Sequence, residues 1–198
     1  MSDISTGWYR PGAIPDDRLR ELTEMFAEVA GDFVPPLTLR GGTAVSDLRE
    51  REPEDADPGN GYLDEMLQQD LIMAWYEDRP AGFVSFRSNH RDPRFADLSP
   101  CLYVSTIAVR HDHRRHGIAR GLYQELFDLP ASLPPWIVLR TWSTNTGHLQ
   151  LLDRLGFSTI LHLKDDRAAG VDTVYLAADR TSKSPLRRTT GSMTPPAG

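Results

Sequence analysis

The sequence of 198 residues has a single cysteine, no long apolar run and no excess of positive charge. Because only Cys101 is present, an intramolecular disulfide is excluded, and we interpret this residue as a small buried hydrophobe rather than a nucleophile. No stretch approaches the roughly 18 apolar residues of a membrane span. Residues 1–15 also lack the basic start and apolar middle of a secretion signal. These absences favour a soluble protein, and we expect it in the cytoplasm.

Acidic side chains outnumber basic ones, and the formal net charge is −6. From residue 181 onward there are three basic and no acidic side chains, so residues 1–180 hold nine more acidic than basic ones. Such a domain repels nucleic acid and attracts cationic molecules. Residues 181–198 are rich in Ser, Thr, Pro, Gly and Arg, which cannot build a core. The sequence therefore predicts a single domain over 1–180 and a disordered C-terminal tail over 181–198.

The most informative stretch runs from Tyr103 to Phe127. Residues 103–109 are apolar and β-branched enough for a buried strand, and residues 119–127 repeat apolar side chains at helical spacing. A polar loop with three arginines joins the two segments and ends in Gly117. Because the first N–H groups of a helix have no partners within it, this arrangement predicts a phosphate-binding cradle.

The spacing of glycines in this loop excludes two common phosphate sites. A dinucleotide fold needs Gly-x-Gly-x-x-Gly, but only Gly117 and Gly121 are present, and an ATP or GTP loop needs Gly-Lys-Ser/Thr, but the loop has no lysine. The pattern that is present is Arg-x-x-Gly-x-Ala over residues 114–119, directly after a strand that ends in Ala-Val. This pattern resembles the diphosphate loop of the GNAT superfamily of acyl-CoA-dependent N-acyltransferases.

A second motif follows at the spacing that the resemblance requires. A predicted strand over 136–141 precedes Asn145, and Gly156 and Phe157 end the helix that comes next, an order common in GNAT enzymes. The resemblance is clearest over residues 70–180. It implies an α/β (α+β) fold with a GNAT-like mixed, mostly antiparallel central sheet of about six or seven strands flanked by helices. It also implies an acetyl-CoA-dependent N-acetyltransferase, with acetyl-CoA as the acyl-donor cosubstrate.

Hydrophobic periodicity predicts the remaining elements. They are an edge strand over 8–11, a helix over 15–31, a short helix over 61–69, a hairpin with strands 71–77 and 81–87, and a final hairpin with strands 158–163 and 173–177 around a charged turn at 164–170. Residues 35–60 and 88–100 are predicted loops.

The most acidic segment of the chain, residues 51–58, lies in the first of these loops. The resemblance places it between the first two helices, which in this family usually roof the acceptor site. This position favours a cationic amine as acceptor, and a solvated surface loop is the alternative.

The resemblance also indicates which residues would bind the cofactor. Main-chain groups at the end of the central strand would pair with the pantetheine arm, the cradle amides would hold the diphosphate, and Asn145 with His148 would contact the cofactor from the other side. The Val109 amide is the candidate donor to the thioester oxyanion. The full predicted set is Ile107, Ala108, Val109, Arg114, Arg115, His116, Gly117, Ile118, Ala119, Arg120, Asn145 and His148.

Two residues that commonly carry protons in this family are replaced. Where many members have a general-base glutamate the chain has Tyr103, whose ordinary pKa of about 10 makes it a poor base. Where many have a general-acid tyrosine it has Leu152. Ser105, which simple alternation places on the same strand face as Tyr103, is the second catalytic candidate, and Asp97, His90 and the acidic loop are alternative bases. We therefore expect direct transfer in a ternary complex, with deprotonation through ordered water.

The histidines at 111, 113 and 116 suggest a metal site, but the arginines beside them disfavour a cation, so no metal is expected. The expected acceptor is a primary amine of a small or peptidic, cationic molecule. Acetylation of protein N termini or lysines is one alternative, and a non-catalytic acyl-CoA-binding regulatory module is another. A homodimer is compatible with the resemblance, whereas nucleic acid and membranes are not expected partners.

Overall fold

The computed structural model describes residues 4–40, 43 and 61–182. Its strands and α-helices, in chain order, are β1 (Ile4–Tyr9), α1 (Asp16–Val29), α2 (Gly61–Leu67), β2 (Asp70–Tyr76), β3 (Arg79–His90), β4 (Cys101–Val109), α3 (Ile118–Asp128), β5 (Trp136–Trp142), α4 (Thr146–Arg154), β6 (Ser158–Ala168) and β7 (Val171–Asp179). Among the described residues, no helix is long and apolar enough to cross a membrane.

The strands form one seven-stranded sheet in the order β1-β2-β3-β4-β5-β7-β6. Neighbouring strands run antiparallel, apart from β4 and β5, which run parallel. Parallel neighbours need a crossover connection, and α3 provides it. The prediction of a mixed, mostly antiparallel sheet flanked by helices is therefore confirmed.

Helices cover both faces of the sheet. Successive residues of a strand point to opposite faces, so one strand contributes to the core on each side. On β2, Ile72 and Ala74 belong to a cluster with residues of α3 and α4, whereas Leu71, Met73 and Trp75 belong to a cluster with residues of α1 and α2. The central strands are thus buried on both faces, which explains why β2 and β4 are almost continuously apolar in sequence.

A β-bulge interrupts β4 at Ser105. Thr106 lies opposite Ser85 and Val104 lies opposite Phe86, so within these fully described strands Ser105 is left without a partner on β3. An extra residue of this kind bends the strand and increases its local twist. The bulge therefore changes the direction of β4 at the middle of the sheet.

The bulge also reverses the alternation of side chains along β4. Leu102 before it and Ile107 after it pack in the same cluster, although an odd number of positions separates them. Alternation therefore changes between Val104 and Ile107, and the placement of Ser105 on the face of Tyr103 stays a prediction. A bulge has no clear sequence signature here, since no glycine marks it.

The bulge coincides with the separation of the two parallel strands. β4 pairs with β5 only where residues 102–104 lie opposite residues 137–139. Beyond this point β4 stays paired with β3 as far as Val109, and β5 stays paired with β7 as far as Trp142. The two strands therefore diverge at the centre of the sheet and leave space between them.

The predicted elements are present, with shifted boundaries. The edge strand is β1, which ends at Tyr9 and starts earlier than predicted. The charged segment 164–170 is mostly strand, because β6 continues to Ala168 and the turn before Val171 is short. Strand β6 lies at the edge of the sheet, where water can solvate charged side chains without loss of pairing.

Residues 88–100 hold more structure than the predicted loop. β3 extends to His90, and a short 3-10 helix at Pro93–Leu98 buries Phe95 against Tyr175. The acidic segment 51–58 and, apart from 181 and 182, the predicted tail lie outside the described residues. The predictions of a single domain, a disordered tail, a cytoplasmic location and a possible homodimer stay predictions.

Gly82 sets the distance between β3, β4 and α3. A Cβ atom at this position would lie 2.7 Å from the carbonyl oxygen of Ala108 and 3.1 Å from the side chain of Ile118. We expect Gly82→Ala to lower the free energy of unfolding by about 2 kcal/mol, because overpacking forces a buried strand or helix to move. Urea denaturation followed by circular dichroism measures the change.

The matched control is Gly31→Ala, since a Cβ at Gly31 would meet no atom within 4 Å. This exposed substitution should change the unfolding free energy by less than about 0.5 kcal/mol. Equal stability of the two variants would contradict the close approach at Gly82.

Candidate active site

The diverging strands enclose a cavity of about 340 Å³. Residues 104–109 of β4 line one wall and residues 139–142 of β5 line the other. Val29, Asp32, Phe33 and Arg40, which lie at the end of α1 and beyond it, also contribute to the lining. A cavity of this size at the centre of a sheet suits a small organic ligand.

The predicted cradle lies beside this cavity, where α3 begins. Gly117 precedes the helix with a φ of 83°, in the left-handed region that glycine adopts without strain. The first main-chain hydrogen bond of the helix joins the Gly121 N–H to the Gly117 carbonyl at 2.9 Å. The N–H groups of residues 118–120 precede this bond, so they and the positive end of the helix dipole are available to an anion.

Side chains at the end of α1 hold the cradle loop in place. Arg114 donates from Nη2 to the Asp32 carboxylate and from Nε to the Val109 carbonyl, the latter at 3.2 Å. His111 contacts the same carboxylate through Nε2 at 2.8 Å, and its main-chain N–H donates to Glu28 at 2.8 Å. Burial acts to raise the pKa of Asp32, but the hydrogen bonds from Arg114 and His111 outweigh it and lower the pKa. Asp32 is therefore a fixed anion that positions Arg114.

Asn145 and His148 line the cavity where α4 starts. The Asn145 amide donates to Thr141 Oγ1 at 3.3 Å. His148 lies between two hydroxyl groups, with Nε2 2.8 Å from Tyr123 Oη and Nδ1 3.4 Å from Thr141 Oγ1. Burial lowers the pKa of His148 to about 4, so the ring is neutral near pH 7. This wall of the cavity is polar and carries no charge from His148.

Three arginines from separate segments also line the cavity. Arg40 follows a short 3-10 helix, Arg140 lies on β5 and Arg167 lies on β6. The exposed fractions of Arg40 and Arg167 are 9% and 6%. Burial lowers the pKa of Arg40 to about 10, and burial together with the charges of Arg40 and Arg140 lowers that of Arg167 to about 9. The groups are therefore charged at neutral pH and close enough to repel each other.

Uncharged groups hold two of these arginines. Arg40 donates to the Pro35 carbonyl from Nε at 3.0 Å and from Nη2 at 2.8 Å. Arg40 and Arg167 both donate to the Val34 carbonyl, and Arg167 Nε donates to Thr173 Oγ1 at 3.1 Å. Among the described residues, no carboxylate forms an ion pair with Arg40 or Arg167. Within the described part of the chain, neutral oxygen atoms accept their hydrogen bonds, and the charge of Asp166 acts on Arg167 without forming an ion pair.

The structure brings most of the predicted cofactor-binding residues together. Those that line the cavity are Ile107, Ala108, Val109, Arg114, Ala119, Asn145 and His148. Those that lie exposed around the start of α3 are Arg115, His116, Gly117 and Arg120. Ile118 is buried in the core, so its main-chain N–H is the group that a ligand can reach.

The two catalytic candidates lie in different surroundings. Ser105 lines the cavity at the bulge, and its buried hydroxyl has no hydrogen-bond partner among the described residues. Tyr103 is not one of the described residues that line the cavity, and it packs with Cys101 and Phe95 in a separate cluster. Burial raises the pKa of Tyr103 to about 12 and that of the Cys101 thiol to about 12. Ser105 is therefore the candidate that belongs to the cavity wall, with its hydroxyl buried in that wall.

The other predicted proton carriers lie away from the cavity. The ring of His90 stacks on Tyr103 with centroids 4.5 Å apart, and Nε2 of His90 is 3.9 Å from Asp92. Asp97 is exposed, and Leu152, at the usual tyrosine position, is fully buried in the core. None of these residues is among the described cavity lining.

The loop histidines are also separated by their contacts. His111 pairs with Asp32, whereas His113 is buried with its ring 5.8 Å from that of Tyr76. Within the described residues no group of three His, Cys, Asp or Glu side chains has the arrangement to hold a metal ion.

Sequence reasoning missed the arginines and Tyr123 as parts of the site. Arg40 lies in a predicted loop and Arg167 in a predicted turn, while Arg140 lies in a predicted strand where its burial has no sequence signal. Tyr123 was recognised as an apolar position of α3, but its hydroxyl and its contact with His148 depend on how α3 and α4 pack.

Solved structures share this fold at low identity. An acetyltransferase of the GNAT family from Streptococcus pneumoniae has 12% identity and a TM-score of 0.59, over 89% of this chain and 99% of that chain. The yncA protein of Salmonella typhimurium, solved with its cofactor acetyl-CoA, has 13% identity and a TM-score of 0.61, over 92% and 97%. Arabidopsis thaliana Naa50, solved with the bisubstrate analogue CoA-Ac-MVNAL, has 14% identity and a TM-score of 0.58, over 88% and 99%.

Identities this low show the fold alone, and no curated protein sequence matches the chain significantly. The sequence model of the acetyltransferase (GNAT) family, however, matches residues 42–157, which is more than half of the chain. The chain therefore belongs to the GNAT family of acetyltransferases, and the prediction of an acyltransferase is confirmed.

Proposed function

We propose that this protein transfers an acetyl group from acetyl-CoA to a primary amine of a small or peptidic acceptor, directly within a ternary complex. The observation that carries the proposal is the divergence of β4 and β5 beside the start of α3. Because of it, an open strand edge and the start of α3 lie next to one cavity. The acetyl-CoA bound to yncA and the bisubstrate analogue bound to Naa50 support the choice of donor.

The open edge of β4 suits the pantetheine arm. Residues 106–109 pair with β3 along one edge, and beyond Val104 the other edge of β4 faces the cavity instead of β5. A chain of amides can add to such an edge as a further strand. In this proposal main-chain groups of Ile107 and Val109 pair with the arm, the amides of residues 115–119 bind the diphosphate, and Asn145 contacts the arm from the opposite wall.

The lining of the cavity fits an anionic donor. Arg114 and the start of α3 provide positive charge and free N–H groups, and Asp32, a carboxylate in the described lining, is engaged by Arg114. His148 is neutral and does not repel either substrate. Acetyl-CoA supplies the activated acyl group, and the Val109 amide is the proposed donor to the thioester carbonyl oxygen.

The positive charge of the cavity favours the reactive form of the amine. Desolvation and the like charges of Arg40, Arg140 and Arg167 both disfavour an ammonium group, so both lower the pKa of the bound acceptor. The free amine is then available without a strong general base. In such an environment, a member of the family can transfer the acetyl group with Tyr103 at the position where a general-base glutamate is usual.

Ser105 is the proposed proton carrier. Ser105 belongs to the cavity wall beside the strand edge that would position the thioester, and its buried hydroxyl has no hydrogen-bond partner among the described residues. It can accept a hydrogen bond from the attacking amine and pass the proton to water. Tyr103 has no catalytic part in this proposal, because it packs in the core with a raised pKa.

The charge of the acceptor is a separate question. The acidic segment 51–58, which favoured a cationic acceptor, lies outside the described residues. The described lining holds Arg40, Arg140 and Arg167 near the acceptor space, and its carboxylate, Asp32, is already paired. The charge in the described part of the site is thus the opposite of the charge that a cationic acceptor needs.

The cradle can be tested at Gly117. We expect Gly117→Val to weaken acetyl-CoA binding by about tenfold or more, because a β-branched residue is strained at positive φ and its side chain occupies the approach to the helix start. Calorimetric titration with acetyl-CoA measures the loss. No binding by the unaltered protein would overturn the proposed function.

Gly170→Val is the matched control for Gly117→Val. Gly170 has a φ of 75° in the turn between β6 and β7, and a Cβ at either glycine would meet no atom within 4 Å. The control therefore carries the same backbone strain away from the cradle and should bind acetyl-CoA as the unaltered protein does. Equal losses in the two variants would show that strain, not the cradle, is responsible.

The proton carrier can be tested by paired substitutions. We expect Ser105→Ala to lower kcat by about 100-fold with little change in the KM for acetyl-CoA, as removal of a proton-transfer group does. Tyr103→Phe should leave kcat unchanged, since Tyr103 is not among the described residues that line the cavity. Steady-state thiol release gives both values. Full turnover by Ser105→Ala would remove Ser105 from the mechanism, and a loss in Tyr103→Phe would return Tyr103 to it.

A further inference from the structure

The positive charge of the arginines that line the cavity is not explained by acetyl transfer alone. Arg40, Arg140 and Arg167 come from three segments far apart in sequence and line one cavity. A guanidinium group loses its hydration when it is buried, and this loss is costly unless an opposite charge compensates for it. Arg40 and Arg167 are more than nine-tenths buried, so the fold keeps two such groups in an unfavourable setting.

The contacts of these arginines position them without removing their charge. Arg40 and Arg167 converge on one carbonyl oxygen, that of Val34, which fixes the two guanidinium groups side by side. A carbonyl oxygen accepts hydrogen bonds but carries no net charge. The like charges of Arg40 and Arg140 lower the pKa of Arg167, and an anion bound among the three groups would relieve this repulsion.

The surroundings indicate a small organic anion. The Arg40 guanidinium lies over the ring of Phe33 with 5.7 Å to the centroid, and that of Arg167 lies over Trp142 with 5.5 Å. The two rings are themselves 5.9 Å apart. Flat aromatic groups and planar guanidinium groups together suit a compact, planar carboxylate. A cavity of about 340 Å³, shared with the acyl end of the donor, has little room for a larger acid.

The phosphates of the donor are poor candidates for this place. The start of α3 with Gly117 already provides an anion site, and Arg114 lies beside it. The arginine cluster is formed instead by the segment after α1, by β5 and by β6, the last of which does not contribute to the cradle. The cluster is thus a second positive region of the same cavity.

We infer that the acceptor carries a carboxylate as well as its amine, as a free amino acid does, and that Arg40, Arg140 and Arg167 bind this carboxylate. The inference rests on the proposed function, because it assigns the acceptor of that reaction. The acidic composition of the chain gives no hint of it, since it depends on charges that meet only in the folded protein.

An acceptor of this kind fits the reaction at the cavity. The arginines hold the carboxylate and so orient the amine of the same molecule toward β4. The amine nitrogen forms a bond to the acetyl carbon, the carbon–sulfur bond of the thioester breaks, and the proton lost by the nitrogen balances the proton taken up by the thiolate through water. The products are an N-acetylated amino acid and free CoA thiol.

Matched acceptors test the inference directly. The full chain is incubated with acetyl-CoA and with sets of three compounds: each of the common amino acids, its amide, and the amine that remains when the carboxylate is removed. CoA thiol release gives kcat/KM, and buried Cys101 does not interfere with the thiol reagent. We expect the best amino acid to exceed its amide and its decarboxylated amine by about 10- to 100-fold, the range of hydrogen bonds to charged groups.

Substitution of the arginines should remove this preference selectively. In Arg140→Gln and Arg40→Gln the ratio between amino acid and decarboxylated amine should fall toward one, with a higher KM for the amino acid and an unchanged KM for acetyl-CoA. Arg154→Gln, on the exposed side of α4, removes the same charge outside the cavity and should keep the preference. Circular dichroism identifies any variant that fails to fold, and the comparison of acceptors on the unaltered protein does not depend on the variants.

The outcomes separate the inference from the proposed function. If amides or decarboxylated amines match or exceed the amino acids, the inference is overturned while acetyl transfer stands. Thiol release with acidic peptides but not with free amino acids overturns it as well, because the carboxylate then belongs to a polypeptide. If acetyl-CoA binds but no amino acid is acetylated, the inference is overturned in the same way. If acetyl-CoA does not bind, the proposed function fails, and the inference fails with it.

Discussion

The separation of β4 from β5 beyond Val104 is the feature on which the rest of the site depends. Each strand keeps its outer partner, and helices cover both faces of the sheet, so the gap forms a cavity lined by the free edge of β4. The bulge at Ser105 turns β4 at the point where the separation starts. One break in pairing thus provides the strand edge, the space and the position of Ser105 on which the proposed function depends.

The distribution of charge shows why composition is a poor guide to the ligand of such a cavity. The chain carries a net charge of −6, yet Arg40, Arg140 and Arg167 bring positive charge to the lining of the cavity. Exposed carboxylates are screened by water and salt within about 10 Å. Buried guanidinium groups act in a medium of lower dielectric constant, where their field is stronger. The local field of the cavity therefore decides which ligand binds, and the overall charge decides how the protein surface behaves.

The parts of the fold and site that the sequence predicts are those encoded locally. Gly117, the strand before it and the helix after it are neighbours in sequence, so the cradle is recognisable from a few residues. Arg40 lies about a hundred or more residues before Arg140 and Arg167, and only the folded sheet brings the three side chains together. The bulge at Ser105 has no local signal, so simple alternation fails across it. The extension of β6 through charged residues was missed because edge strands tolerate composition typical of loops.

The central claim is that the open edge of β4 and the start of α3 receive acetyl-CoA. Main-chain amide resonances of isotope-labelled protein, recorded by NMR with and without acetyl-CoA, test it most directly. We expect the largest shifts at residues 105–109 and 117–119, with little change in β1 or the outer part of β6. Shifts that are absent from these two segments, or that are concentrated elsewhere in the sheet, would contradict it.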